Sequence, residues 1–252
     1  MNANLKLIAN WFLANKLAIN LVKTEAMVLH RKKIYFPLPP IILNNIPLVY
    51  SFTFKFLGLI VDNKLNWKYH ISAITSKLSS VCGIMFRVKN RVTRSISKLI
   101  YNSLAHPHLI YCNIIWSSTY NSLLYPLRVK QRRLIRLIMK KNRFEHTTPL
   151  FKQLNILKLD DVCKTSALQI VYKSLNNILQ SPIHFTLRNE NPYNTRYTPP
   201  LLVPFCRSRQ TSFFIHVKGS NLWNELPLMI RNSRSLYTFK RKLKKYIIDS
   251  YV

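Results

Sequence analysis

The run Trp67-Lys-Tyr-His-Ile71-Ser-Ala-Ile74-Thr-Ser-Lys-Leu78-Ser-Ser-Val81-Cys-Gly-Ile-Met85-Phe-Arg-Val88 decides the fold class. Its apolar residues step by four and three from Trp67 to Val88, so they form one seam along a helix. Helical signals continue from there. Thr93 stands where it caps a second helix, with Ile96, Leu99, Ile100 and Leu104 inward. Pro107 suits the first turn of a third, which carries Leu109, Cys112 and Trp116. A fourth is expected from about Ser122 to Lys141. Asp160 caps a fifth, whose apolar side holds Leu168, Val171, Leu175 and Ile178.

Upstream of the seam the signals are mixed. Leu5, Ile8, Ala9, Phe12 and Leu13 repeat at helical spacing and stop near Asn15-Lys16. Glu25–His30 and Ile34–Phe36 read as strands, and Pro37, Pro39 and Pro40 break the next stretch. Leu48–Tyr50 and Phe54–Val61 read as two further strands joined by a tight turn. Downstream, prolines at 182, 192, 199, 200 and 204 predict an extended connector or edge strands over 181–215. A turn is expected between Gly219 and Ile230. Ser235 then opens a last helix with Phe239, Leu243 and Tyr246 inward. The expected class is α+β: a small strand-and-helix part over 1–63, a mainly α-helical body over 64–180, and a Pro-rich connector with a basic helix over 181–252. No internal repeat or low-complexity tract is visible.

The chain has 252 residues and is 48% hydrophobic, enough for a real core. It carries 39 Lys and Arg against 8 Asp and Glu, a net charge of +31. Such a balance favours a polyanionic partner. Its 3 glycines, Gly58, Gly83 and Gly219, are too far apart to build a glycine-rich phosphate cradle. The scattered acids argue against a carboxylate metal cage. Cys82, Cys112, Cys163 and Cys206 include no Cys-x-x-Cys pair, and they read as reduced core thiols of an intracellular protein. The first apolar stretch, Leu5 to Val22, is broken by Lys6, Asn10, Asn15, Lys16 and Asn20. It reads neither as a secretory signal nor as a membrane span, and no membrane partner is expected.

The sharpest chemical signal is a basic ridge. Arg128, Arg132, Arg136 and Lys140 lie four residues apart on the fourth helix, beside the mostly apolar Leu127, Gln131, Leu134 and Ile138. Arg133, Lys141 and Arg143 widen the charged side, and no acid interrupts 128–143. The reading is phosphate contact; the plain alternative is a solvated face, which ordinarily mixes signs. Lys240, Arg241, Lys244 and Lys245 form a second cluster on the last helix, read as a nucleic-acid contact, a nuclear import signal or a solvated face. Asp160-Asp161, the one adjacent acid pair, is explained by a helix N-terminus rather than by metal catalysis. His106, His108 and Cys112 are the one conceivable metal group, set against a simple packed helix start.

These blocks also resemble a known family. Trp11-Phe-Leu-Ala-Asn-Lys-Leu-Ala-Ile-Asn20 with Lys23-Thr24 resembles the stretch after the catalytic hairpin in reverse transcriptases of non-LTR retrotransposons, jockey-like or RTE-like. Phe56-Leu-Gly-Leu-Ile-Val-Asp62 with Leu65-Asn-Trp-Lys-Tyr-His70 resembles their primer-grip hairpin and the start of the thumb. Tyr101, Pro107, Tyr111-Cys112 and Trp116 fit the thumb. Gln131-Arg-Arg-Leu-Ile-Arg136, His146-Thr-Thr-Pro-Leu150 and Leu154-Asn-Ile-Leu157 resemble the segment beyond it. Leu222-Trp-Asn-Glu-Leu-Pro227 and Phe239-Lys240 resemble the polyprotein ends. The match runs in order over nearly the whole chain.

The resemblance implies the C-terminal part of an RNA-directed DNA polymerase: a palm remnant over 1–63, then thumb and post-polymerase regions. In that family the fingers, the catalytic aspartates and usually an endonuclease precede the first block. Mg²⁺ therefore belongs to a palm outside these residues, and no cofactor is expected within them. Phe56, Leu57 and Gly58 become primer-grip-like. Lys23 becomes the counterpart of the lysine proposed to protonate pyrophosphate, a role only an intact enzyme would use. The expectation is nucleic-acid binding without polymerisation, to RNA, DNA or their hybrid, in cytoplasm and nucleus, with no small-molecule substrate. The rival is a basic helical protein-interaction module with Trp67, Trp116 and Trp223 as core or partner anchors. A third reading is a chain whose exposed strand edges prevent stable folding.

Overall fold

The computed structural model describes residues 2–30, 38–180, 183–187, 200–208 and 211–251. It is an α+β protein, mainly helical, with short strands near the N-terminus. The chain divides into two compact units, 1–70 and 71–252. The dividing point falls just beyond the expected boundary at 63. Residues 181–252, expected as a separate region, share the second unit with 71–180.

In the first unit, helix α1 (Asn2–Ala14) is followed by β1 (Glu25–Ala26), β2 (Ile42–Leu43), β3 (Ile46–Pro47), β4 (Val49–Tyr50), β5 (Thr53–Phe56) and β6 (Leu59–Asp62). β1 pairs with β4 in parallel, while β2–β3 and β5–β6 are antiparallel hairpins. Two positive-φ residues close each hairpin, Asn44 and Asn45 in one, Leu57 and Gly58 in the other. That is the backbone twist a two-residue hairpin loop demands. The strand expected over Phe54–Val61 is therefore two strands, because Gly58 lets the chain reverse there. The strand expected at Ile34–Phe36 lies outside the described residues.

Asp62 closes this unit. Its side chain is buried, and its carboxylate accepts N–H bonds from Lys64 at 3.1 Å, Asn66 at 3.2 Å and Trp67 at 2.8 Å. Those bonds hold a turn in which Leu65 and Trp67 both take positive φ. Asn66 then accepts from the Lys68 amide and opens helix α2 (Lys68–Val88). Ile71, Ile74, Leu78, Val81 and Met85 are buried, as their spacing predicts, and Val88 is half-buried. By length and composition α2 would also reach across a membrane, while its seam from Ile71 to Met85 is buried within the chain.

Next come α3 (Arg94–Ile100), α4 (His106–Ile110), α5 (Asn113–Trp116), α6 (Asn121–Ile138), α7 (Thr148–Leu154) and α8 (Leu159–Leu175). Thr93 caps α3 through its hydroxyl. The inward face of this stretch differs from the expected one. Ile96, Leu99 and Leu104 are exposed, while Ser97, Tyr101, Ala105 and Leu109 are buried. A π-helical turn over Tyr101–Ala105 joins α3 to α4. Its wider winding keeps residues four apart in line, so one seam continues across both helices.

The C-terminal helices α9 (Ile215–Asn224), α10 (Leu228–Arg231) and α11 (Leu236–Asp249) complete the second unit. Leu168, Val171 and Tyr172 from α8 form one core cluster with Leu201, Trp223, Leu226, Ile230, Phe239 and Leu243. Tyr172 stacks on Phe239 at 4.5 Å, and its hydroxyl donates to the Ser233 carbonyl at 2.7 Å. The turn expected between Gly219 and Ile230 falls between α9 and α10, and Gly219 itself sits inside α9. A Cβ there would lie 2.9 Å from Val171 Cγ2, so glycine serves close helix packing. Ile178 and Tyr246, expected inward, are exposed. Of the Pro-rich stretch, the described parts form an isolated antiparallel bridge between Leu187 and Leu201; prolines 182, 192 and 199 lie outside the described residues.

With so few glycines, other residues take the left-handed positions that end helices. Lys16, Lys140, Asn155 and Asn177 all have φ of 54°. Lys140 N donates to the Leu137 carbonyl and Lys141 N to the Arg136 carbonyl. This pair of bonds is a Schellman motif, and it ends α6 before Lys140.

Candidate nucleic-acid interface

The ridge helix α6 buries Leu124, Leu127, Gln131, Leu134, Ile135 and Ile138. Gln131, expected on a mostly apolar face, is the polar pin of the region. Its Nε2 donates to the Tyr101 hydroxyl and to the Leu157 carbonyl, both at 3.0 Å. Its Oε1 accepts the Leu159 amide at 2.8 Å. One side chain thus satisfies three buried groups and supplies the cap that the start of α8 lacks locally. Burial pushes the Tyr101 phenol up to about 12, with the Gln131 bond pulling the other way.

No acid interrupts 128–143, yet Arg128 is paired with one from outside that run. Its guanidinium grips Asp160, Nε at 2.9 and 3.0 Å and Nη2 at 2.7 Å, and also bonds Asn121. The partner stands 32 residues away, outside the window that charge patterning surveys. Asp161 is engaged too: it accepts from the Tyr251 hydroxyl at 2.6 Å and lies 3.6 Å from Lys164 Nζ. Both acids sit in the first turn of α8, behind an N-cap position filled by Lys158 rather than Asp160. Helix-end electrostatics and these partners account for the pair.

Lys140 corrects the ridge. It follows the helix in a left-handed conformation, so it does not continue the face of Arg128, Arg132 and Arg136. Arg136 donates from Nε to the Glu145 carbonyl at 2.9 Å. Burial, and then the neighbouring Arg132, draw its pKa below the usual arginine value. Lys141 pairs with Glu145 at 3.3 Å. Arg132 and Arg133 are exposed and enter no ion pair among the described residues; Arg143 is exposed with its guanidinium over the Phe144 ring. Arg128, Arg132 and Arg136 line a cleft of about 300 Å³ that is closed by 144–148 and the start of α8.

The second basic cluster lies on α11. Lys240, Arg241, Lys244 and Lys245 are exposed, and Phe239 and Leu243 bury the opposite side. Burial, then Lys98, lower the Lys244 pKa. Lys240 and Lys244 line a second cleft with Tyr101 and His106. Burial, then Lys244, hold His106 below the ordinary histidine value. His106, His108 and Cys112 do not converge as a ligand group among the described residues. In the first unit, Phe56 and Leu57 stand exposed at the tip of the β5–β6 hairpin, beside Gly58. Lys23 is exposed in a single 3₁₀ turn whose start is capped by Asn20.

Tyr251 is the residue that sequence reasoning missed. Its ring is buried, its hydroxyl accepts the Lys158 amide at 3.0 Å, and Lys158 Nζ lies 4.5 Å from the ring centroid. With Gln131 and Arg128 it clasps the start of α8 beside the cleft. No family model, no curated protein and no solved structure matches this chain.

Proposed function

We propose that this chain binds nucleic acid electrostatically through its helical unit, as the region beyond the catalytic hairpin of a non-LTR retrotransposon reverse transcriptase, and that residues 1–252 alone do not polymerise. One observation carries the reading. The net charge is +31, yet the ion pairs among the described residues number three. Arg132, Arg133 and Arg143 are exposed and enter no ion pair among the described residues. A purely structural surface mixes signs, whereas this one matches a polyphosphate. RNA, DNA or their hybrid is the partner, met in cytoplasm or nucleus. Lys23 is a proton donor only within an intact enzyme.

The rival is a basic helical protein-interaction module, in which Trp67, Trp116 and Trp223, all buried, serve as core residues; salt response separates the two readings. The test is a titration of a labelled RNA–DNA hybrid across a salt series, with primer extension run in parallel. Affinity should fall steeply with salt, because each neutralised phosphate releases counterions. Changing Arg132, Arg133, Arg136 and Arg143 to Gln should lower the log–log slope by roughly two to four, and extension should not exceed a mock preparation. Salt-insensitive binding, or template-dependent extension, would overturn the proposal.

A further inference from the structure

The cleft beside the ridge has a shape and charge that a solvated helix face does not need. One wall is α6, with Arg132 and Arg136 one turn apart. The other is the 144–148 segment together with Lys158 at the start of α8. Two acids line it, and both are already engaged. Asp160 is held by Arg128 at 2.7 Å, and the Glu145 carboxylate lies 3.3 Å from Lys141. The charges of Arg132, Arg136 and Lys158 are therefore uncompensated by carboxylates among the described residues. The depressed Arg136 pKa, caused by burial and then by Arg132, agrees with two like charges held close in a partly dry site.

Phe144 stands at the rim. It is 78% exposed, and the guanidinium carbon of Arg143 lies 5.2 Å from its ring centroid. An aromatic ring left in water beside uncompensated guanidinium groups suits a ligand with both a flat face and a negative charge. A nucleotide has both. In a duplex the base faces are already stacked, so only an unpaired nucleotide can use the ring.

We propose that this cleft seats one unpaired nucleotide of a bound strand, its phosphate between Arg132 and Arg136 and its base against Phe144. The proposal rests on the nucleic-acid reading above and adds a preference for single-stranded substrate. The ridge supplies charge, and Phe144 supplies the discrimination between unpaired and paired nucleotides.

The full chain is tested by fluorescence anisotropy on an oligothymidylate of about 20 residues and on a duplex of equal length, over a salt series. The wild type should bind the single strand more tightly. Phe144→Ala should weaken single-strand binding about tenfold, the scale of one lost base–aromatic stack, without changing the salt slope or the duplex affinity. Phe144→Trp should retain the preference. Arg132→Gln with Arg136→Gln should lower the single-strand slope by about one to one and a half. Unchanged affinity of Phe144→Ala, or equal losses on both substrates, would overturn the cleft while leaving the nucleic-acid reading intact. Displacement of the strand by micromolar thymidine monophosphate would overturn it in favour of a free nucleotide. Failure of the wild type to bind either substrate would remove the broader reading and the cleft with it.

Discussion

Residues 1–70 bury few of their large apolar side chains; residues 71–252 bury many of theirs around a shared core, although side chains such as Leu99 and Phe144 stay exposed. In the first unit Trp11 is 58% exposed, Val22 93%, Phe52 77% and Leu57 74%. Its described buried apolar residues are Ala9, Leu43, Leu59 and Trp67. The second unit joins α8, α9 and α11 around a shared aromatic core of Tyr172, Trp223 and Phe239. At roughly 25 cal/mol for each Å² of apolar surface removed from water, that difference in burial separates a self-supporting body from one that gains little by folding alone. Amphipathic spacing in α1 is present without a core for it to join, whereas the same spacing in α2 leads directly into one. Periodicity therefore predicts a helix, and the supply of facing apolar surface decides whether that helix is stable.

The largest expected contrast comes from placing the same charge in each unit. Leu78→Asp puts an unpaired carboxylate at a fully buried position of α2, which should cost about 3–5 kcal/mol. That corresponds to a fall of roughly 10 °C in the melting midpoint. Val22→Asp, at an exposed site, should leave the midpoint within experimental scatter. Similar losses for both would erase the distinction between the units.

A smaller effect is expected at Tyr251. Tyr251→Phe removes one hydroxyl that serves both Asp161 and the Lys158 amide, for a loss of about 1–3 kcal/mol. The pH dependence sharpens the point. Burial, then the hydrogen bond to Asp161, raise the Tyr251 pKa, and burial raises that of Tyr101 to about 12. Folded pKa values above unfolded ones contribute stability that is complete below about pH 10 and lost as pH rises through the folded values. Wild type should therefore lose stability above pH 10, and Tyr251→Phe should lose less. Equal alkaline profiles would show that the clasp at α8 contributes nothing.

The smallest effect lies at the first unit's hairpin tip. Leu57 holds a φ of 47°, a conformation that costs a non-glycine residue about 1–2 kcal/mol and that Asn tolerates better. Leu57→Asn should slow exchange of the β5–β6 amides severalfold. Faster exchange would mean that the leucine side chain stabilises the turn.

Much of the second unit was legible in the sequence because its signals are local. The α2 seam, the Thr93 and Ser235 caps and the Phe239–Leu243 face depend on residues within a few positions of one another. What escaped depends on distance or on conformation. Asp160 neutralises Arg128 from 32 residues away, and Tyr251 reaches Asp161 across 90. Lys140 left the ridge because a glycine-poor chain ended α6 on a lysine. The close approach of Gly219 to Val171 also joins residues distant in sequence, so spacing does not reveal it. The α3–α4 seam runs through Ser97, Tyr101, Ala105 and Leu109 across a π turn, a path that a regular helical period does not describe. The cleft itself brings together α6, 144–148 and the start of α8, so its lining residues carry no common motif.

Native-state hydrogen exchange on the full chain tests the contrast between the two units most directly. The core amides of α8 and α11 should open only with global unfolding. The amides of β1–β6 should exchange orders of magnitude faster through local opening. Uniform protection across 1–70 and 71–252 would contradict the account, because it would show that the exposed apolar surface of the first unit costs it no stability.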